Sequence, residues 1–443
     1  MSTLLIRHAE RVATMDDSFH QIVDGGVFIR DNVIQQVGPT DELPATADQV
    51  IEAHGQIVLP GLINTHHHLF QSLTRTYSPA QNASVSQWVE TLAVLWDQFT
   101  SDDLYLAVKV SLAELLLTGC TTTADHLYYL PSACRVSDEI AAAEELGIRL
   151  HLCIGQSPPP SSRLNPVGQD DVLHLCRDTI EQIHNSKCMA MSQVALAGSL
   201  MFDSPDLQRK LVELAEFYNV RLHSHMGETA QQAQACLERF GHRLVEHAES
   251  IGWLGANVWY AHGIHLTATE IRMLAETGTG IAHCPSSNMR LGSGIAPVVK
   301  MLQEGVPLGI GVDGSASNDS SHMLAELRQA FLLQRVVNGP QAISAEDVFR
   351  MGTVGGARLL GRNDLGKLEP GMAADLIGFD LEVLDFAGAM EDPLAALIFC
   401  TPQKVNWSII NGKVRVMNGE IAGLNLEDLL RKHRRASQKL LEE

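Results

Sequence analysis

The chain has 443 residues, and its 32 Lys and Arg against 52 Asp and Glu leave a formal charge of −20. Such an imbalance argues against a surface built to neutralise phosphates, and so against nucleic-acid binding. At 45% hydrophobic and 19% charged, the composition excludes a disordered chain and a small disulfide scaffold, and it is ample for a large core.

No run of about 18 apolar residues is present to span a membrane. Arg7, Glu10 and Arg11 interrupt the stretch that a signal peptide would keep apolar. The expectation is a soluble, cytoplasmic protein. Its eight cysteines, Cys120, Cys134, Cys153, Cys176, Cys188, Cys236, Cys284 and Cys400, are never closer than twelve positions, so no Cys-x-x-Cys pair exists and the thiols read as buried and free.

Residues 1–55 read as short strands with turn punctuation: Thr3 to Ile6, Gly26 to Arg30, and Asn32 to Val37 before Gly38-Pro39. From 56 to 364 short apolar runs alternate with amphipathic stretches, the signature of βα units and a parallel sheet. Eight strands are predicted: Ile57 to His66, Cys120 to His126, Ile148 to Ile154, Ser192 to Ala197, Val220 to His225, Val258 to His262, Gly280 to His283 and Val306 to Asp313. Helices are predicted between them, for example over Ser137 to Leu146, Pro205 to Tyr218, Thr267 to Thr277 and Ala296 to Gln303. Eight such units make a closed (β/α)8 TIM barrel, an α/β fold. Over 365–443 strands return in Ala374 to Phe379, Val405 to Ile410 and Lys413 to Met417, the last two joined by an Asn411-Gly412 hairpin turn. The two strand-rich ends are expected to form one composite β-sandwich, with Leu426 to Glu442 as a charged terminal helix.

Chemistry concentrates at the ends of the barrel strands. In Asn64-Thr65-His66-His67-His68 the alternation of an extended strand puts His66 and His68 on one face and His67 on the other. Imidazoles suit zinc, iron and copper alike, and the carboxyl ends of the strands are where barrel active sites are built. His223-Ser224-His225-Met226-Gly227-Glu228, Tyr260-Ala261-His262-Gly263 and Gly309-Ile310-Gly311-Val312-Asp313-Gly314 end three further strands. His223 shares a face with His225 but lies one layer deeper, as a packed interior residue.

These segments, with His283-Cys284-Pro285-Ser286-Ser287-Asn288 and Asp313-Gly314-Ser315-Ala316-Ser317-Asn318, resemble the amidohydrolase superfamily and, more narrowly, its aminohydrolase branch of deaminases and triazine hydrolases. The resemblance runs over nearly the whole chain. Within the branch, Asn64 to Arg75, Gly119 to Tyr129 and Ala261 to Leu291 are most similar to the 8-oxoguanine deaminases. It implies one divalent metal, zinc or iron, held by His66, His68, His225 and Asp313. Glu228, His262 and Asp313 would be the catalytic residues. Binuclear relatives carry a bridging lysine at the end of the fourth strand, where this chain has Gly198-Ser199, so one metal is expected.

Cys284 reads as a turn residue, since no base-orienting third group accompanies it. The paired His-x-Glu and Pro-Cys-x-x-Cys signature of polynucleotide deaminases is absent. The implied reaction is hydrolytic deamination of a small heterocycle, 8-oxoguanine to urate and ammonia foremost. Isoxanthopterin or another pterin and a hydroxytriazine are the alternatives, and a non-catalytic scaffold would be free to lose the ligands that this chain keeps. Gln71 is expected to meet a lactam edge with its amide, and Trp96, Tyr128, Asn288 and Arg290 to line the site. Ala197 to Phe202 departs from the branch's usual segment, and the loop at Pro158-Pro159-Pro160 reads as short. No membrane partner is expected, and homo-oligomerisation is left open.

Overall fold

The computed structural model describes residues 1–131, 133–157, 162 and 168–442, so the expected short loop at 158–160 lies outside the described residues. Eight parallel strands close a barrel: β1 (Leu62–Asn64), β2 (Cys120–Leu127), β3 (Arg149–Ile154), β4 (Ser192–Ala197), β5 (Arg221–Met226), β6 (Val258–His262), β7 (Gly280–His283) and β8 (Leu308–Ile310). Helix boundaries follow local chemistry. Ser204 accepts from Leu207 N ahead of Pro205–Tyr218, and Asn219, in the left-handed region, ends that helix. Thr267 and Glu270 form a capping box at the start of Ala268–Thr277. No helix among the described residues is long and apolar enough to cross a membrane.

Small side chains line much of the barrel interior: Ala124, Cys153, Ala195, Ala197 and Ala282 pack with Ile63 and Trp259. Leu359, the last residue of helix Gly356–Leu359, and Leu360, which caps it, join them. Small residues leave room in a closed barrel for the large rings that share its lumen.

Both chain ends contribute to one continuous nine-stranded sheet. Its order is Glu420–Ile421, Lys413–Met417, Trp407–Ile410, Leu376–Asp380, Gln56–Pro60, Thr3–Ala13, Gln21–Arg30 and Val33–Pro39, with Gln49–Glu52 paired alongside Thr3–Ala13. Its buried face holds Ile6, Val12, Val27, Ile29, Val58, Leu376 and Trp407 in a core of its own. The Arg149 guanidinium, fully buried, clamps Asp375 with bonds of 2.6 and 2.8 Å and so joins the floor of the barrel to this sheet. Removing one partner of such a pair strands a buried charge, at a cost of roughly 3–5 kcal/mol.

Two expected strands are each divided. Ile57 to His66 splits at Gly61: Gln56–Pro60 pairs with Leu376–Asp380 in the nine-stranded sheet, and only Leu62–Asn64 enters the barrel. A Cβ on Gly61 would lie 2.0 Å from Thr121 Oγ1, so only glycine lets the chain cross so close to β2. Val306 to Asp313 likewise ends its barrel pairing at Ile310, and Asp313–Gly314 forms a separate short ladder with His67–His68.

The seam between β8 and β1 is thin, with Ile310 opposite Asn64 as its only registered pair. Side chains reinforce it. Asn64 Oδ1 accepts from Val312 N at 2.9 Å, Asn64 Nδ2 donates to Thr123 Oγ1 at 2.9 Å, and Thr65 donates through both N and Oγ1 to Ile310 O. Asn64→Leu leaves the buried Val312 N–H unpaired, and urea denaturation is expected to show a loss of about 1–3 kcal/mol. Thr123→Ala, which removes the neutral hydrogen bonds of its hydroxyl to Asn64 and to the Ala124 carbonyl, is expected to cost about 0.5–1.5 kcal/mol. An unchanged midpoint for Asn64→Leu would contradict this role of the seam.

Candidate active site

At the carboxyl end of the barrel the chain collects imidazoles and one carboxylate. His66 Nε2 and His68 Nε2 each lie 3.4 Å from Asp313 Oδ1, and His68 Nε2 lies 3.2 Å from His225 Nε2. Four donors on one ion at bond lengths of about 2.0–2.1 Å stand roughly 3.3 Å apart in a tetrahedral arrangement. The observed separations match that spacing. His66, His68, Asp313 and His225 are therefore brought together, as expected, while His67 turns away and bonds Ser321 Oγ at 3.0 Å.

Hydrogen bonds behind these rings set their tautomers. His223 Nδ1 faces the Trp259 carbonyl at 3.0 Å, which only accepts, so the His223 proton is on Nδ1 and Nε2 carries a lone pair. His66 Nδ1 must then donate to His223 Nε2, at 2.8 Å. This leaves His66 Nε2 as a buried lone pair with no hydrogen-bond partner. By the same logic His68 donates Nδ1–H to the His126 carbonyl at 2.8 Å and presents a bare Nε2. An orphaned buried imidazole nitrogen beside a carboxylate is what a metal ligand looks like before its ion is considered, and the donor set suits zinc or iron.

Electrostatics agree with the geometry. Burial pushes His68 down to about 3 and holds His66 and His225 below their usual value, so the rings are neutral at pH 7. Burial alone would raise Asp313, but the imidazoles packed around it, His66 first and then His262 and His68, hold it well below the usual carboxylate range. Asp313 Oδ1 accepts from Gly314 N at 2.7 Å, and Oδ2 accepts from Ser287 Oγ. Asp313 and His262 both adopt positive φ, 61° and 75°, at the end of their strands. Non-glycine residues hold such angles at about 1–3 kcal/mol each where the surroundings compel it, and these cluster at functional sites.

Glu228 follows β5 by two residues and is nearly buried, its backbone N–H held by Gln232 Oε1 at 3.0 Å. Burial raises its pKa, opposed by His262 and assisted by Asp313. His262 donates Nδ1–H to Asn288 Oδ1 at 2.9 Å, which leaves Nε2 an acceptor in the neutral ring and a donor only in the charged one. Both residues, with His68, His225 and Asp313, line a cavity of about 400 Å³.

Of the five expected substrate contacts, Tyr128 lies on the cavity wall, and Gln71, Trp96, Asn288 and Arg290 do not. Gln71 is fully buried, packed so tightly on Gly314 that a Cβ there would fall 1.8 Å from its Oε1. It sits beside the Tyr128 hydroxyl, and Tyr128 does line the cavity. Trp96 is buried and donates Nε1–H to Thr74 Oγ1, and Asn288 is occupied in orienting His262. Arg290 is held by Asp319 at 3.0 Å. The wall is instead built by Trp88 and Val89 of helix Val85–Trp96, by Leu291, and by Gly198 to Phe202, the segment whose sequence departs from the branch.

Sequence reasoning passed over His126. It ends β2 with its ring 4.9 Å from that of His225, on the cavity wall, and its Nδ1 has no partner. The signal was available, since His126 shares the interior face of its strand with Thr122 and Ala124. Cys284 is fully buried with its thiol pushed far up by burial, which leaves it inert.

Comparison with known proteins follows the same lines. Residues 57–415 match the Amidohydrolase family. The 8-oxoguanine deaminase of Pseudomonas aeruginosa is 42% identical over 94% of this chain and 95% of its own length. The hydroxydechloroatrazine ethylaminohydrolase of Pseudomonas sp. strain ADP is 35% identical over 94% of each chain. The crystal structure of atrazine chlorohydrolase TrzN from Arthrobacter aurescens TC1, complexed with zinc, superimposes with a TM-score of 0.92 at 32% identity over 98% of this chain and 100% of that one. The chain belongs to the amidohydrolase family and is a hydrolase acting on carbon–nitrogen bonds.

Proposed function

We propose that the protein is a hydrolytic deaminase of an aminated oxopurine, 8-oxoguanine foremost, that uses one divalent metal, zinc or iron. The observation that carries this reading is the convergence of the side chains of His66, His68, His225 and Asp313 beside a cavity that also holds Glu228 and His262. The 42% identity to an 8-oxoguanine deaminase over almost the full length supports the choice of substrate. In this reading residues 56–364 are the catalytic barrel, and 1–55 with 365–443 form the composite β-sandwich that supports it. Eight free cysteines suit a cytoplasmic enzyme.

A bound metal would supply Lewis-acid chemistry, lowering the pKa of water from 15.7 toward ~7 so that hydroxide is available at neutral pH. The chain's own residues divide the remaining work. Asp313, ionised and anchored by Ser287 and Gly314, accepts the proton that water gives up. Glu228, whose carboxyl burial makes easier to protonate, gives a proton to the ring nitrogen beside the amine-bearing carbon, so that this carbon becomes tetrahedral as the water oxygen adds. His262, aligned by Asn288, receives a hydrogen bond on Nε2 when neutral and holds the developing oxyanion when charged. Asp313 passes its proton to the amine, the C–N bond breaks to release ammonia, and the hydroxyl proton goes back to Glu228 as the carbonyl forms.

Purified protein is expected to carry about one equivalent of zinc or iron by elemental analysis and to lose activity with chelators. Two tightly held ions per chain would overturn the mononuclear assignment. Glu228→Gln is expected to keep its metal while kcat falls by about 10²-fold or more. Because the raised Glu228 must be protonated to act, kcat in the native enzyme should fall as pH rises through its pKa, and the variant should lack that limb. Retention of activity within a few-fold would place the acid elsewhere.

Substrate choice is tested by ammonia release over aminated purines, pterins, pyrimidines and triazines. A site that hydrogen-bonds the C8 oxygen is expected to prefer 8-oxoguanine over guanine by well over about tenfold in kcat/KM. Guanine as the equal or better substrate would remove the 8-oxoguanine assignment and leave the metal chemistry standing. A hydroxytriazine is the second reading, favoured by the 35% identity to an ethylaminohydrolase of that class, and the same screen decides it.

A further inference from the structure

At the opposite end of the barrel lies a second cavity of about 440 Å³, which shares no lining residue with the first. Its walls come from the amino-terminal ends of three neighbouring strands, through His151 of β3, Gln193 of β4 and Arg221 of β5, with Asn219 and Asn257 at the strand entries. Strand ends at this face of a barrel ordinarily serve stability and carry no unsatisfied chemistry. Two residues here depart from that pattern.

Arg221 is a partly buried cation with no carboxylate among the described residues in ion-pair contact. Burial alone shifts its pKa, down to about 10, so it stays charged at neutral pH. One Nη donates to the Ala256 carbonyl, and Nε has no partner. The other guanidinium nearby, on Arg362, is committed to Asp364 at 2.8 Å. His151 is 4% exposed, and neither of its ring nitrogens has a hydrogen-bond partner. Buried charges are ordinarily paired and buried polar groups hydrogen-bonded, because leaving them bare costs free energy with nothing in return. In a chain of net charge −20 a carboxylate for Arg221 would have been easy to supply. The nearest acid in the cavity wall, Glu216, is exposed and makes no bond to it.

We propose that this cavity is a second ligand site, for the oxyanion of a small polar molecule, with the Arg221 guanidinium making the charged contact and a His151 ring N–H a neutral one. Guanidinium forks match carboxylate and phosphate alike, and the amides of Asn219 and Asn257 suit the polar remainder of such a molecule. The site is separated from the histidine centre by a stack of rings inside the barrel. His151 meets the edge of Trp259 with centroids 5.7 Å apart, and Trp259 stacks on His223 at 4.5 Å.

Isothermal titration of the metal-loaded protein with inorganic phosphate and, separately, with succinate tests the proposal. One probe is expected to bind with one site per chain, and which of them does so identifies the recognised group. Arg221→Met should weaken that binding at least about tenfold and His151→Phe severalfold, since charged contacts exceed neutral ones. Circular dichroism checks that both variants fold. Soaking crystals of the unmodified enzyme with the bound probe gives a measurement free of mutation, with density expected between Arg221 and His151. Absence of binding by both probes, binding that Arg221→Met leaves unchanged, or density only at the histidine centre would each overturn it.

Discussion

The closure of the barrel between its last and first strands is the constraint on which the catalytic end depends. Backbone pairing there amounts to one registered pair, and Asn64 supplies through its side chain what the ladder lacks. Just beyond, Asp313–Gly314 runs alongside His67–His68 as a second short ladder, and Asp313 N donates to the His66 carbonyl at 3.0 Å. These bonds bring a carboxylate from one end of the barrel sequence against two imidazoles from the other. The positive φ of Asp313 is the turn that aims its side chain back over the lumen, and it persists because the backbone is held on both sides.

Neutrality of the buried imidazoles is the second condition. Each ring is stripped of water, which disfavours the cation, and His66 and His68 each have one nitrogen committed to a group that fixes where the proton sits. The relay from the Trp259 carbonyl through His223 to His66 is a pure consequence of donor and acceptor roles. His223 is not itself one of the four donors, yet it decides which nitrogen of His66 is bare. The interior position that reads as packing in the sequence is thus also a positioning residue, which is a common arrangement behind metal-binding histidines.

Much of this was legible in the chain itself. Ser192–Ala197, Val258–His262, Gly280–His283, Pro205–Tyr218 and Lys413–Met417 fall where periodicity and caps put them, because each is bounded by strong local signals. The shared face of His66 and His68 was legible because alternation along a strand is fixed at two residues, whereas His225 and Asp313 joined them through the family resemblance. Gly61 was not, since the need for glycine there comes from Thr121, distant in sequence. Ile57 to His66 therefore read as one strand when it serves two sheets. Where the residues expected to meet substrate would turn was hidden for a related reason. Nearness in sequence to a ligand does not say which way a loop residue turns, and Gln71, Asn288 and Arg290 all turn to tertiary partners. The cavity wall comes from helix Val85–Trp96 and from Gly198 to Phe202, whose placement only the assembled barrel determines.

The order in which the chain leaves the ribosome gives one more meaning to the shared sheet. Gln56–Pro60, directly upstream of the first barrel strand, has Leu376–Asp380 as its neighbour, and the turn just after His68 is held from the far end of the chain, where His433 reaches Ser72 and Ser437 donates to the Leu73 carbonyl. Contacts so remote in sequence close late, after the entropy of a very long loop has been overcome. During synthesis the first two imidazoles therefore emerge early and wait, without the strand that anchors them or the carboxylate that completes them. A nascent chain therefore has no finished centre until its last strands and its terminal helix have joined the barrel.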